Sequence, residues 1–169
     1  MLKIVNNLSP FFQDCYRRIS VREYARILGV SAPTASSRLS EYMKEGLLLQ
    51  EKQRNYIFYL ANRKNKVFID LSRVYWNSKL SGLVSFLERE LVNPAVVLFG
   101  SLSKGEAKQD SDLDIAIFAV KKGLDFGAFE KKLGRKVQVF WYNSLKGIQS
   151  EELANNITNG YLLSGKLKL

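Results

Sequence analysis

Apolar and polar positions alternate in two different rhythms along this chain. Residues 95–99 (Ala95-Val96-Val97-Leu98-Phe99) form an all-apolar run between Asn93-Pro94 and Gly100. A short β-branched run with such borders predicts a strand buried on both faces. Residues 113–119 predict a second strand. Residues 136–142 predict a third, with Val137, Val139 and Trp141 on one side and Gln138 on the other. Helical spacing governs elsewhere. In residues 21–28, Tyr24, Ala25 and Leu28 share a face, Gly29 breaks the helix and Val30 plugs the corner. Ser31 then caps a second helix running to about Glu45, with Ala35, Leu39, Tyr42 and Met43 as its buried stripe and Pro33 tolerated in its first turn. Past Gly46, residues 47–50 and 55–60 read as a hairpin around Glu51-Lys52-Gln53-Arg54. Residues 64–91 repeat apolar positions helically at Val67, Leu71, Val74 and Tyr75, and again at Leu80, Leu83, Val84, Leu87 and Leu91, with a break into two helices expected at Asn77-Ser78. Phe126, Phe129 and Leu133 mark a later helix. Ser150, followed by Glu151 and Glu152, caps another that buries Leu153 and Ile157.

These elements predict an α+β chain of two small domains: residues 1–63, a helical connector at 64–92, and an α/β domain with a mixed sheet at 93–169. The connector helices either pair the protein into a homodimer or cover the sheet of the second domain. The net charge of +10 suits a polyanionic partner and is spread along the chain. With no histidine, His-based general-base chemistry and most zinc sites are excluded. The single cysteine, Cys15, excludes an intrachain disulfide and reads as core filler on the first helix. No apolar run is long enough to span a bilayer, and residues 1–7 lack the hydrophobic core of a signal peptide, so a soluble cytoplasmic protein without membrane contact is expected.

The chemistry is concentrated in residues 99–114. Gly100 lets backbone approach a ligand closely, and Ser101 offers a hydroxyl beside the free N–H groups of a helical turn, which suits phosphate oxygens. Ten residues on, Asp112 and Asp114 flank Leu113 and point the same way from a strand edge. Two like-facing carboxylates repel unless a cation lies between them, and hard oxygen ligands suit Mg2+ or Mn2+ carrying a triphosphate. The bland alternative is a plain strand-to-helix turn followed by a solvated acidic turn.

Gly-Ser, ten residues and Asp-x-Asp between two apolar runs resembles the signature of minimal nucleotidyltransferase domains, relatives of DNA polymerase β. The resemblance covers about the second half of the chain. It implies that Gly100 and Ser101 bind nucleotide, that Asp112 and Asp114 are the catalytic metal-binding acids, and that a nucleoside triphosphate is ligand or substrate. Relatives carry a third carboxylate on a later strand, which holds metal and accepts a proton. Here Gln138 occupies that position, and an amide supplies neither negative charge nor a base. Asp125, the nearest spare acid, reads as a solvated loop charge.

The segment 20–61 resembles the winged helix-turn-helix domains of bacterial and archaeal regulators. That resemblance implies double-stranded DNA as partner, with Thr34, Ser36, Ser37 and Arg38 on the recognition helix and Lys52 and Arg54 on the wing meeting phosphate. Such domains also serve as docking or dimerisation modules. Two functions follow as expectations. The first is a DNA-binding, transcription-regulator-like protein whose nucleotidyltransferase-like domain binds Mg-NTP with little or no transfer. The second is an active transferase that modifies a protein or RNA hydroxyl, as antitoxin relatives modify a toxin-like partner.

Overall fold

The computed structural model describes residues 2–167. Contacts group them into two compact units: the chain up to Tyr75 together with Gly105–Gln109, and Trp76–Lys104 together with Asp110 onward.

The first unit is built from α1 (Lys3–Gln13), β1 (Ile19–Ser20), α2 (Val21–Leu28), α3 (Ala32–Lys44), β2 (Leu48–Gln53), β3 (Tyr56–Ala61) and the opening of α4 (Lys66–Glu90). Local chemistry fixes the helix ends. The Ser20 hydroxyl accepts from the Glu23 amide and the Ser31 hydroxyl from the Thr34 amide, each satisfying an amide that the first helical turn leaves unpaired. Gly29 closes α2 at φ +63°, in the left-handed region that glycine enters without steric cost. Ala35, Leu39 and Tyr42 turn inward from α3, while Met43 is only half-buried. The sheet is antiparallel in the order β1-β3-β2. Phe12 packs its ring 5.1 Å from Phe68 and 5.5 Å from Tyr75, an aromatic centre for this core.

Four sequence expectations change here. The hairpin turn is tighter than Glu51-Lys52-Gln53-Arg54: β2 runs through Gln53, which pairs with Tyr56, leaving Arg54-Asn55 as the turn with Arg54 at φ +54°. A two-residue turn entered at positive φ matches strand twist. Asn77-Ser78 does not break the connector, because α4 is continuous and both residues lie exposed between the buried pairs Tyr75-Trp76 and Leu80-Leu83. The inward stripe at the start of α4 is Phe68, Ser72 and Tyr75, whereas Val67 and Val74 are exposed. Cys15 is buried but lies beyond the end of α1, where its amide donates to the Ala107 carbonyl at 2.7 Å.

The second unit takes the remainder of α4, then β4 (Ala95–Phe99), α5 (Gly100–Lys104), β5 (Leu113–Phe118), α6 (Gly127–Leu133), β6 (Val137–Tyr142), α7 (Glu151–Thr158) and β7 (Tyr161–Ser164). Its sheet is mixed, in the order β6-β5-β4-β7, with β5 and β6 parallel and the other pairs antiparallel. Every residue of β4 is buried, as an apolar run in a central strand requires. On one face Val97, Phe99, Ala116 and Ile157 form a core, joined by Phe140 and Leu153. The Ser150 hydroxyl caps α7 by accepting from the Leu153 amide. This topology positions the site, because an antiparallel β4–β5 pair and a parallel β5–β6 pair bring the end of β4 and the starts of β5 and β6 to one sheet edge. No helix among the described residues is long and apolar enough to cross a membrane.

Candidate functional site

At that edge Asp114 pairs across to Phe99 on one side and to Gln138 on the other. Asp112 lies one residue before β5, half-exposed, and its Oδ2 accepts a 2.7 Å hydrogen bond from Gln138 Nε2. Gly100 follows Phe99 at φ +69°, and a Cβ there would sit 2.2 Å from Asp114 Oδ2. A side chain at position 100 would therefore displace the Asp114 carboxylate. Ser101 is half-buried in the first turn of α5, and the Ser103 hydroxyl donates to the Gly100 carbonyl at 2.9 Å. Gly100, Asp112, Asp114 and Gln138 thus meet, with Ser101 adjoining them in the chain.

Burial, and then the neighbouring Asp112 carboxylate, push Asp114 above the usual carboxylate range. Among the described residues no group of three acidic, histidine or cysteine side chains could hold a metal. Asp112 and Asp114 are the residues able to bind a divalent cation at this edge, and Gln138 spends its amide hydrogen on Asp112. Two carboxylates are hard oxygen donors of the kind a divalent cation takes.

A raised carboxyl value in the fold means that ionised Asp114 costs stability, fully above its folded value and not at all below its unfolded one. Asp114→Asn should therefore melt at a higher temperature than the parent at pH 7 in chelator, with the gain vanishing on acidification. Scanning calorimetry across pH checks this, and an unchanged or lower melting temperature at pH 7 contradicts the electrostatic account.

Arg135 was not recognisable as a site residue from the sequence. It is buried, its Nη1 donates to the Ser111 carbonyl at 2.5 Å, and its guanidinium lies 5.1 Å from the Trp76 ring centroid. It thereby ties down the backbone immediately before Asp112. Its only sequence signal is a basic residue just ahead of a strand, which many surface arginines share. Asp125 is exposed and caps Gly127, its Oδ1 accepting from the Gly127 amide at 2.9 Å.

The residues expected to meet DNA are dispersed more widely. Ser36 and Ser37 are exposed on α3, and the Thr34 hydroxyl shares a 2.8 Å hydrogen bond with the capping Ser31 hydroxyl. Arg38 is half-buried on the flank of the helix, its Nη1 donating to Asn7 Oδ1 at 3.4 Å. Asn7 also donates to the Tyr42 hydroxyl at 2.8 Å and accepts from Tyr24 at its carbonyl, so Arg38 joins a network anchoring α3 to α1. Counting helical turns from Ala35, Leu39 and Tyr42 places Pro33, Ser37, Ser40 and Lys44 on the opposite side, of which only Ser37 is among the DNA-contact residues expected from the sequence. Lys52 and Arg54 are exposed on the hairpin.

Residues 83–163 match the family model described as Polymerase beta, Nucleotidyltransferase. The matched segment takes in Gly100, Ser101, both aspartates and Gln138, and it has a nucleotidyltransferase-like fold with a mixed sheet. No curated protein and no solved structure matches the chain.

Proposed function

We propose that the protein is a DNA-binding regulator in which a nucleotidyltransferase-like domain binds a magnesium or manganese nucleoside triphosphate and transfers its nucleotidyl group to an acceptor hydroxyl, with release of pyrophosphate, slowly or not at all. The observation that carries this reading is the hydrogen bond from Gln138 to Asp112. In the position of a third acid, the amide donates a proton-bearing nitrogen where a metal ligand and proton acceptor are needed. Asp112 and Asp114 would hold the cation, which when bound neutralises phosphate charge. Gly100 keeps the approach to Asp114 open, Ser101 offers its hydroxyl to phosphate, and Arg135 fixes the loop that carries Asp112. In a transfer assay with labelled nucleotide, the parent should leave itself and RNA ends unlabelled. Robust metal-dependent labelling, lost in Asp112→Asn, overturns the reading in favour of an active, antitoxin-like transferase acting on a protein or RNA hydroxyl.

The regulatory half rests on the first unit, which we read as a winged helix-turn-helix. Two capped helices joined at Gly29 and followed directly by the β2–β3 hairpin support it. So does its charge, 14 lysines and arginines against 7 aspartates and glutamates. The exposed side of α3 centred on Ser37 would enter the major groove, and Lys52 and Arg54 would meet the backbone. Arg38 acts here by holding α3 in place. Duplex binding measured by anisotropy should weaken steeply with salt as counterions are released. Removing Lys52 and Arg54 together should reduce the salt slope by about 2, one for each phosphate contact. Ser37→Glu should abolish the interaction, and salt-insensitive or absent binding by the parent overturns this half.

A further inference from the structure

The β1-β3-β2 sheet has one face turned into the core, with Ile19, Leu48, Tyr59 and Ala61 buried, and a second face that is not. Register puts Leu49 opposite Leu60, Glu51 opposite Phe58 and Gln53 opposite Tyr56 on that outer face. Tyr56 is 67% exposed and its ring centroid lies 6.4 Å from that of Phe58. Arg18, just before β1, reaches across the sheet: its guanidinium lies 4.7 Å from the Phe58 ring centroid and bonds Gln53 at 3.1 Å and Glu51 at 3.0 Å. At the Leu60 end, two residues upstream of Arg18, Tyr16 is 43% exposed. The Arg63 guanidinium lies 4.0 Å from its ring centroid and the Lys108 ammonium 5.4 Å. Glu51 is the acid on this face, and it is engaged by Arg18.

Aromatic rings on a sheet face, arginine planes stacked on rings and flanking cations are what an unpaired nucleic-acid strand recognises. Bases stack on rings and guanidinium planes, and phosphates follow positive charge. The charge argues the same way, since this unit carries 14 basic residues against 7 acidic. We infer that the outer face of the β1-β3-β2 sheet binds single-stranded nucleic acid, with bases on Tyr56 and on the Arg18–Phe58 stack, and phosphates on Arg63 and Lys108. The surface is separate from the exposed side of α3 and adjoins the duplex contacts proposed for Lys52 and Arg54 on the same hairpin.

The test is fluorescence anisotropy of the full chain with labelled oligouridine and oligothymidine 12-mers, probes of about the length an aromatic single-strand site covers, at low salt. The parent should bind, and the preference between the two sugars identifies the natural strand as RNA or DNA. Tyr56→Ala, at an exposed position that leaves the core intact, should weaken binding by about 5- to 150-fold, the range for a base stacked on an aromatic ring. Arg63→Ala with Lys108→Ala should flatten the salt dependence. Ser37→Glu should leave single-strand binding unchanged, so a failure of duplex recognition is told apart from a failure here. The inference is overturned if the parent binds neither 12-mer, if Tyr56→Ala binds as well as the parent, or if sedimentation shows a dimer that Tyr56→Ala dissociates, which makes the face a self-interface.

Discussion

Gln138→Asp should raise the transfer of labelled nucleotide by about 10²- to 10⁴-fold over the parent, the usual contribution of a positioned general base. In the parent, Gln138 Nε2 donates to Asp112 Oδ2 and pins that carboxylate while leaving the edge with two negative charges. Aspartate removes the donor and adds a third charge beside Asp112 and Asp114, where Asp114 is already pushed up by burial and by Asp112. Without metal the variant should therefore melt below the parent at pH 7. With magnesium the deficit should close, because three carboxylates offer more to a cation than two. The side chain at 138 is exposed, so the substitution tests charge and not packing. A variant that melts like the parent in chelator, and gains no stability from magnesium beyond the parent's, contradicts this placement of Gln138.

Gly100→Ala should damage both stability and ligand binding. At φ +69° an L side chain carries a conformational cost of about 1–2 kcal/mol, and the added Cβ would lie 2.2 Å from Asp114 Oδ2 and 3.1 Å from its Cγ. Something must move, and the Asp114 carboxylate is the group able to rotate away. Nucleotide affinity in magnesium should fall about tenfold or more, as it does when 1.4 kcal/mol of well-placed contact is lost. Denaturant unfolding and equilibrium dialysis read the two effects separately. Unchanged affinity in the alanine variant places the ligand away from Asp114.

The Asp-x-Asp edge was legible because period-two alternation settles which way neighbouring side chains face. The same rule set Gln138 apart from Val137 and Val139, and the structure adds its hydrogen bond to Asp112. The helix–Gly29–helix segment was legible from its capping serines and from the spacing of Ala35, Leu39 and Tyr42. The hairpin turn was misplaced because Glu51, Lys52 and Gln53 sit on an exposed stretch of strand, where polarity imitates a turn. The break at Asn77-Ser78 failed for the opposite reason: two polar residues on the exposed side of a long helix cost little when both flanks are anchored in cores. In the first apolar stripe of α4, Tyr75 is buried as its spacing predicts and Leu71 half-buried, whereas Val67 and Val74 are exposed and Phe68 takes the inward position beside Val67. Arg135 and the anchoring of Arg38 to Asn7 were not legible at all, because both depend on where distant backbone comes to lie.

Calorimetric titration of the full chain with a nucleoside triphosphate, with and without magnesium, tests the central claim most directly. The parent should bind saturably in magnesium and lose that binding in chelator, and the Asp112→Asn, Asp114→Asn double variant should show no magnesium-dependent binding. Equal nucleotide affinity in parent and double variant, or parent binding indifferent to magnesium, would show that the paired aspartates at the sheet edge serve the fold and not a ligand.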